Sequence, residues 1–99
     1  MTTAPFRTSH VASFLIDVVL EDHMKLGDLR AIGNFILGKN LDVMEFSDRL
    51  DEITQIILDN NPGLKQIYEE KDLVTESNCG EYRNKWNGIF GETLELAKA

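Results

Sequence analysis

The stretch from Asp42 to Pro62 most constrains what this chain can fold into, because it contains a helix start, an apolar stripe and a stop. A helix turns by about 100° per residue, which places one apolar stripe on one side of the stretch: Phe46, Leu50, Ile53 and Ile57. Asp42 is positioned as the N-cap, with Glu45 three residues later as in a capping box. Pro62 predicts the end, because proline disfavours helical geometry in the residue before it. The sequence therefore predicts one helix here.

Acidic residues occupy the opposite side of the same predicted helix: Glu45, Asp48, Glu52 and Asp59. Catalytic carboxylates usually need a partly buried cleft that separates their pKa values. Because this side of the helix faces away from the apolar stripe, we expect these carboxylates to be solvated and not catalytic. A solvated acidic face attracts a partner with a basic surface. We therefore take these four residues as the predicted partner-binding residues.

Two further amphipathic helices are predicted, one before and one after the central stretch. Residues 25–37 carry apolar residues at helical spacing and stop at Gly38, a typical C-terminal glycine. Gly33 lies inside this helix, where glycine costs about 1 kcal/mol relative to alanine, so we expect a close helix crossing there. A last helix is predicted over approximately residues 78–90, with Trp86 in its apolar stripe.

The two ends of the chain are predicted to differ from this helical body. We expect residues 1–8 to form a flexible N-terminal arm and residues 9–99 to form a single helical domain. Ser9 would cap a first helix, although the β-branched residues within 11–20 leave a strand open as the alternative. Residues 92–96 alternate polar and apolar side chains, which is typical of an extended segment.

The predicted fold class is all-α, a compact bundle of about four helices with a short extended C-terminal tail.

Charge and composition exclude several classes of protein. A net charge of −7 argues against direct binding of nucleic acid, which normally requires a basic surface. Cys79 is the single cysteine, so neither an intramolecular disulfide nor a thiolate metal cluster can form, which fits a reducing compartment. The most apolar stretch, residues 11–20, is interrupted by Ser13 and Asp17 and is too short to span a membrane. Because the first ten residues also lack the pattern of a signal peptide, we expect a cytoplasmic protein.

No group of residues has the spacing of an active site. His10 and His23 each lack a second metal ligand at helical spacing. Cys79 lies near a predicted helix N-terminus, but Arg83 is its only basic neighbour in the sequence. The glycines match no phosphate-binding pattern. We therefore expect a protein without enzyme activity, without a cofactor and without a metal site.

The order of these motifs resembles that of a family of small uncharacterised proteins encoded by bacteriophages and prophages. The matching features extend over roughly residues 11–96 and are Leu37-Gly38, Leu41, the stripe from Phe46 to Ile57, Pro62-Gly63-Leu64, and the segment from Phe90 to Leu96. The family has no assigned activity, so the resemblance supplies no functional residues. It implies an accessory protein of a virus or mobile element, in the cytoplasm of the host cell.

Two function hypotheses follow. The first is a non-enzymatic protein that acts by protein–protein interaction and modulates or inhibits a host or defence protein, since the chain is small and acidic and lacks catalytic motifs. The alternative is a helical oligomer that sequesters a small ligand or nucleotide, with Arg30, Arg49 and Arg83 as anion partners. A homodimer through the apolar segments 11–20 and 32–37 is compatible with either hypothesis.

Overall fold

The structure, a computed structural model, describes residues 2–17, 20 and 24–98. Within these residues the chain is mostly helical, with six α-helices and two β-strands. In chain order they are β1 (Thr2–Arg7), α1 (Thr8–Ile16), α2 (Leu26–Leu37), α3 (Val43–Asp48), α4 (Leu50–Asn60), α5 (Lys65–Glu69), α6 (Cys79–Phe90) and β2 (Thr93–Lys98). The predicted predominance of helix is confirmed, whereas the prediction of a purely all-α chain with four helices is wrong.

The two ends of the described chain pair with each other as an antiparallel two-stranded sheet, from Thr2 opposite Lys98 to Arg7 opposite Thr93. Residues 2–7, which we expected in a flexible arm, therefore form a paired strand, and the expected extended tail is the second strand. An isolated two-stranded sheet is marginally stable in water. Packing supports this one, because Leu96 is buried and the Phe6 ring lies 5.6 Å from that of Phe35.

The central stretch forms two helices instead of the predicted single one. Arg49 separates α3 from α4 with φ −111° and ψ 13°, and its N–H is shared between the carbonyl oxygens of Glu45 (3.1 Å) and Phe46 (3.2 Å). The predicted start is confirmed, because the Glu45 N–H donates a 2.8 Å hydrogen bond to the Asp42 carboxylate. Leu50 is 38% exposed, so it leaves the otherwise buried apolar stripe.

The crossing predicted at Gly33 is present. A Cβ atom at Gly33 would lie 3.0 Å from Cδ1 of Phe46 and 3.1 Å from Cδ1 of Ile53. Gly33 therefore lets α2 approach α3 and α4 more closely than alanine would. Gly38 follows α2 with φ +68°, a left-handed conformation that glycine adopts without steric cost, as predicted.

Helix α1 is the physical centre of the molecule, although the sequence pointed to residues 42–62. Every residue of α1 except His10 is buried, and β1, α2, α5 and α6 all contact this helix. The helical prediction is thus confirmed for residues 11–16, but Arg7, instead of Ser9, occupies the N-cap position. The helix ends at Ile16, before Leu20, and residues 18, 19 and 21–23 lie outside the described residues.

The last predicted helix is also present as α6, with Trp86 fully within the core. Cys79 begins this helix, one residue after the predicted start. Over the described ranges, no helix combines the length and the apolar character needed to cross a membrane.

Candidate functional site

The four carboxylates predicted to bind a partner are all on the exposed side of α3 and α4. We call this group the acidic surface and define it as Glu45, Asp48, Glu52 and Asp59. Residues 42–60 contain six carboxylates and one guanidinium, so this segment carries a net charge of −5 out of −7 for the whole chain. The net negative charge of the protein is therefore concentrated on residues 42–60, which include α3 and α4.

Three of the four carboxylates have a partner within the chain. Glu45 lies 3.3 Å from Nζ of Lys39, and Glu52 accepts hydrogen bonds from Nε (2.7 Å) and Nη2 (3.0 Å) of Arg49. Asp59 accepts a 2.8 Å hydrogen bond from the Gln55 amide.

Asp48 differs from the other three because none of the described residues forms an ion pair or hydrogen bond with its carboxylate. Exposed ion pairs such as those of Glu45 and Glu52 contribute only about 0–1 kcal/mol to stability. A cation on a partner can therefore replace Lys39 or Arg49 as the ion-pair partner at little cost in stability. Asp48 requires no such replacement and is the most available carboxylate of the acidic surface.

A cleft of about 490 Å³ opens between α1, α2, α3, α4 and the segment from Tyr68 to Asp72. Buried aromatic rings, those of Phe14 and Phe46, form part of its lining and meet edge to face, with 5.8 Å between centroids. The volume lies within the range of about 300–1,000 Å³ that is usual for ligand pockets. We refer to this feature as the cleft.

The charged groups among the described lining residues of the cleft are Asp17, Asp51, Asp72 and Lys71. Nζ of Lys71 donates a 3.1 Å hydrogen bond to the Tyr68 hydroxyl and lies 4.4 Å from the centre of the Tyr68 ring. That hydrogen bond and the charge interaction with Tyr68 raise the pKa of Lys71, and Asp72 and Asp51 raise it further. Lys71 is consequently cationic at neutral pH, and these four groups together give a net charge of −2.

The arginines expected to bind an anionic ligand do not line the cleft. Arg49 is engaged by Glu52, and Nη1 of Arg83 donates a 3.1 Å hydrogen bond to the carbonyl oxygen of Leu20. Arg30 lies on α2 and is also absent from the lining. The structure thus does not assemble the three arginines around this cleft.

The other residues considered for chemistry occupy separate places. Cys79 is half-buried at the start of α6, where its Sγ donates to the carbonyl oxygen of Glu76 at 3.4 Å. His10 is half-buried on α1, and His23 lies outside the described residues. In the part of the chain that the structure describes, no three His, Cys, Asp or Glu side chains are grouped so that they could hold a metal ion.

Sequence reasoning missed the cleft, because its walls come from four separate segments. One signal was present: Ser47, Asp51 and Thr54 recur at helical spacing beside the apolar stripe, and all three line the cleft. Such a polar stripe next to an apolar one indicates a partly solvated surface between core and solvent. Comparison of the chain with protein-family models, curated proteins and solved structures finds no match.

Proposed function

We propose that this protein acts by binding another protein through the acidic surface, without catalysis of its own, and that the partner presents a basic surface. The observation that carries the proposal is the net charge of −5 on residues 42–60, with its carboxylates exposed. The resemblance of its motif order to that of phage and prophage proteins adds a context. It favours an accessory protein of a virus or mobile element that modulates or inhibits a host or defence protein.

The extent of the acidic surface supports a protein partner. Glu52 and Asp59 are seven residues apart on α4, about 10 Å along the helix, and Glu45 and Asp48 add charge on the preceding helix α3. A row of charge of this length complements an extended basic surface, and it accelerates association by electrostatic attraction. Small anions such as nucleotides would be repelled by the same surface.

Affinity capture from a lysate of the source cells tests this proposal. Tagged wild-type protein is compared with the Asp48→Lys/Glu52→Lys double variant, at about 0.1 M and about 1 M salt, where the Debye length falls from about 10 Å to about 3 Å. We expect one stoichiometric partner with the wild type at low salt. We expect its loss at high salt, and its loss with the double variant at either concentration.

The matched control is Glu69→Lys/Glu95→Lys, which produces the same change in net charge at exposed carboxylates on α5 and β2. This variant should retain the partner. Capture that is equal for the wild type and both double variants would refute the acidic surface as the binding site. Circular dichroism of every variant confirms that the fold is intact before capture is interpreted.

A further inference from the structure

We infer that the cleft binds an apolar side chain of a positively charged, amphipathic helical segment, whose basic residues pair with the carboxylates around the cleft. This inference rests on the proposed function and specifies the part of the partner that is recognised. Three observations support the inference. Exposed apolar residues continue from the cleft along α3, and the charge around the cleft is negative. In addition, α3 and α4 contribute residues to both the cleft and the acidic surface.

Large apolar side chains are exposed at the cleft and along the adjacent helix. Leu26 (51% exposed) and Leu50 (38%) line the cleft, while Val43 (47%) and Met44 (77%) lie one helical turn before Ser47, which also lines it. The exposed apolar surface therefore extends beyond the cleft toward the N-terminus of α3. Contiguous exposed apolar patches mark interaction sites, and methionine is frequent at surfaces that accommodate helical partners.

The charge around the cleft selects a cationic occupant. Among the described residues that line the cleft, the carboxylates of Asp17, Asp51 and Asp72 outnumber the one cation, Lys71, whose ammonium lies over the Tyr68 ring. Recognition of an amphipathic helix in an apolar groove places anchoring side chains at positions i, i+3, i+4 and i+7 and leaves its other face polar. Lysine or arginine on that polar face would meet these carboxylates and, farther along, Asp48.

A second copy of the chain and a small amphiphile fit less well. A two-fold dimer places the same patch of both subunits face to face, so the acidic groups beside the cleft would meet their own copies. A small molecule in the cleft would leave Val43 and Met44 uncovered, since neither residue lines it. A helical segment covers both regions.

The experiment measures binding of a fluorescein-labelled synthetic peptide by anisotropy. The peptide has about 14 residues, which span about 20 Å as a helix, with leucine at positions i, i+3, i+4 and i+7 and lysine elsewhere. Ser47→Trp obstructs the cleft from an exposed position, and Asn84→Trp, at an exposed position on α6, is the matched control. A second peptide, with every leucine replaced by glutamine, has the same charge but no anchoring side chain.

We expect the wild type and Asn84→Trp to bind the leucine peptide equally, and Ser47→Trp to bind at least about tenfold more weakly. The glutamine peptide should also bind the wild type at least about tenfold more weakly. Equal binding by Ser47→Trp and the wild type would overturn the inference. If the Asp48→Lys/Glu52→Lys variant nevertheless failed to bind the peptide, the result would support the acidic surface as the binding site and exclude the cleft.

Two further results would also overturn the assignment of the occupant. Octylammonium binding as tightly as the peptide would assign the cleft to a small amphiphile. A dimer of the wild type in sedimentation velocity that Ser47→Trp abolishes would assign the cleft to a second copy.

A different result separates the cleft from the acidic surface. Weaker peptide binding by Ser47→Trp, together with unchanged binding by Asp48→Lys/Glu52→Lys, would support the cleft and refute the acidic surface.

Discussion

Replacing Gly33 with alanine tests the close crossing of α2 over the central helices. Two opposing effects determine the outcome. Alanine is favoured over glycine in a helix interior by about 1 kcal/mol. The added Cβ would lie 3.0 Å from Cδ1 of Phe46 and 3.1 Å from Cδ1 of Ile53, closer than ordinary van der Waals contact.

Neither neighbour can move away easily. Ile53 is completely buried, and the Phe46 ring is in contact with the Phe14 ring. Inserting a methyl group into such a packed region typically costs about 1–3 kcal/mol. Subtracting the gain from helix propensity leaves Gly33→Ala between about neutral and about 2 kcal/mol less stable than the wild type.

Gly88→Ala provides the matched control, because Gly88 lies inside α6 and a Cβ there would meet no atom within 4 Å. The Gly88→Ala variant gains helix propensity without a steric clash, so it should be about 0.5–1 kcal/mol more stable than the wild type. Urea unfolding followed by circular dichroism gives both free energies. We expect a difference of about 1–3 kcal/mol between the two variants. Equal stabilisation of both would show that the crossing has room for a methyl group and would refute the reasoning.

Three other substitutions test contacts that hold the fold and the cleft. Asn61→Ala removes two 2.9 Å hydrogen bonds between the side chain and the backbone of Ala97 and a third to the carbonyl oxygen of Ile57, and we expect a loss of about 1–3 kcal/mol in urea unfolding. Ser13→Ala leaves the buried N–H of Leu20, which donates to the serine hydroxyl at 3.1 Å, without its acceptor, and should cost about 1–3 kcal/mol in the same assay. Lys71→Gln removes the single cation among the described charged groups of the cleft, so it should strengthen binding of the lysine-leucine peptide about two- to fivefold in the anisotropy assay.

Each of these expectations has a control and a contradicting result. Asn60→Ala loses one helix-internal hydrogen bond, and equal costs for the Asn60 and Asn61 variants would show that the contact with β2 is unimportant. Ser77→Ala, at an exposed position, is the control for Ser13→Ala, and equal stability of the two variants would contradict the role of the buried hydroxyl. Lys65→Gln removes an exposed lysine that does not line the cleft, so equal effects of Lys65→Gln and Lys71→Gln would indicate net charge alone.

Local signals in the sequence predicted the helices that local interactions define. The cap at Asp42, the glycine after α2 and the apolar stripe of α6 each depend on residues within a few positions of one another. The crossing at Gly33 was also predictable, because an unfavourable glycine inside a helix requires a packing reason.

Interactions between distant parts of the chain account for the features that were not predicted. Pairing of Thr2 with Lys98 joins the two ends, and a local pattern cannot reveal it. The break at Arg49 has no signal in its own residue type, since arginine is a good helix former. The exposure of the four carboxylates of the acidic surface agrees with the helical spacing of the sequence. The cleft did not follow from that spacing, because Asp17, Asp51 and Lys71 come together only in the folded chain.

The central claim, recognition of a basic partner by the acidic surface, is tested most directly by the dissociation constant of the captured partner. Titration calorimetry at about 0.1 M salt compares the wild type with the Asp48→Lys/Glu52→Lys variant and with the control, Glu69→Lys/Glu95→Lys. The two double variants have the same net charge. We predict at least about tenfold weaker binding, about 1.4 kcal/mol, for the Asp48/Glu52 variant and less than about threefold for the control. Equal weakening by both variants would contradict the claim, because it would attribute binding to net charge instead of to this surface.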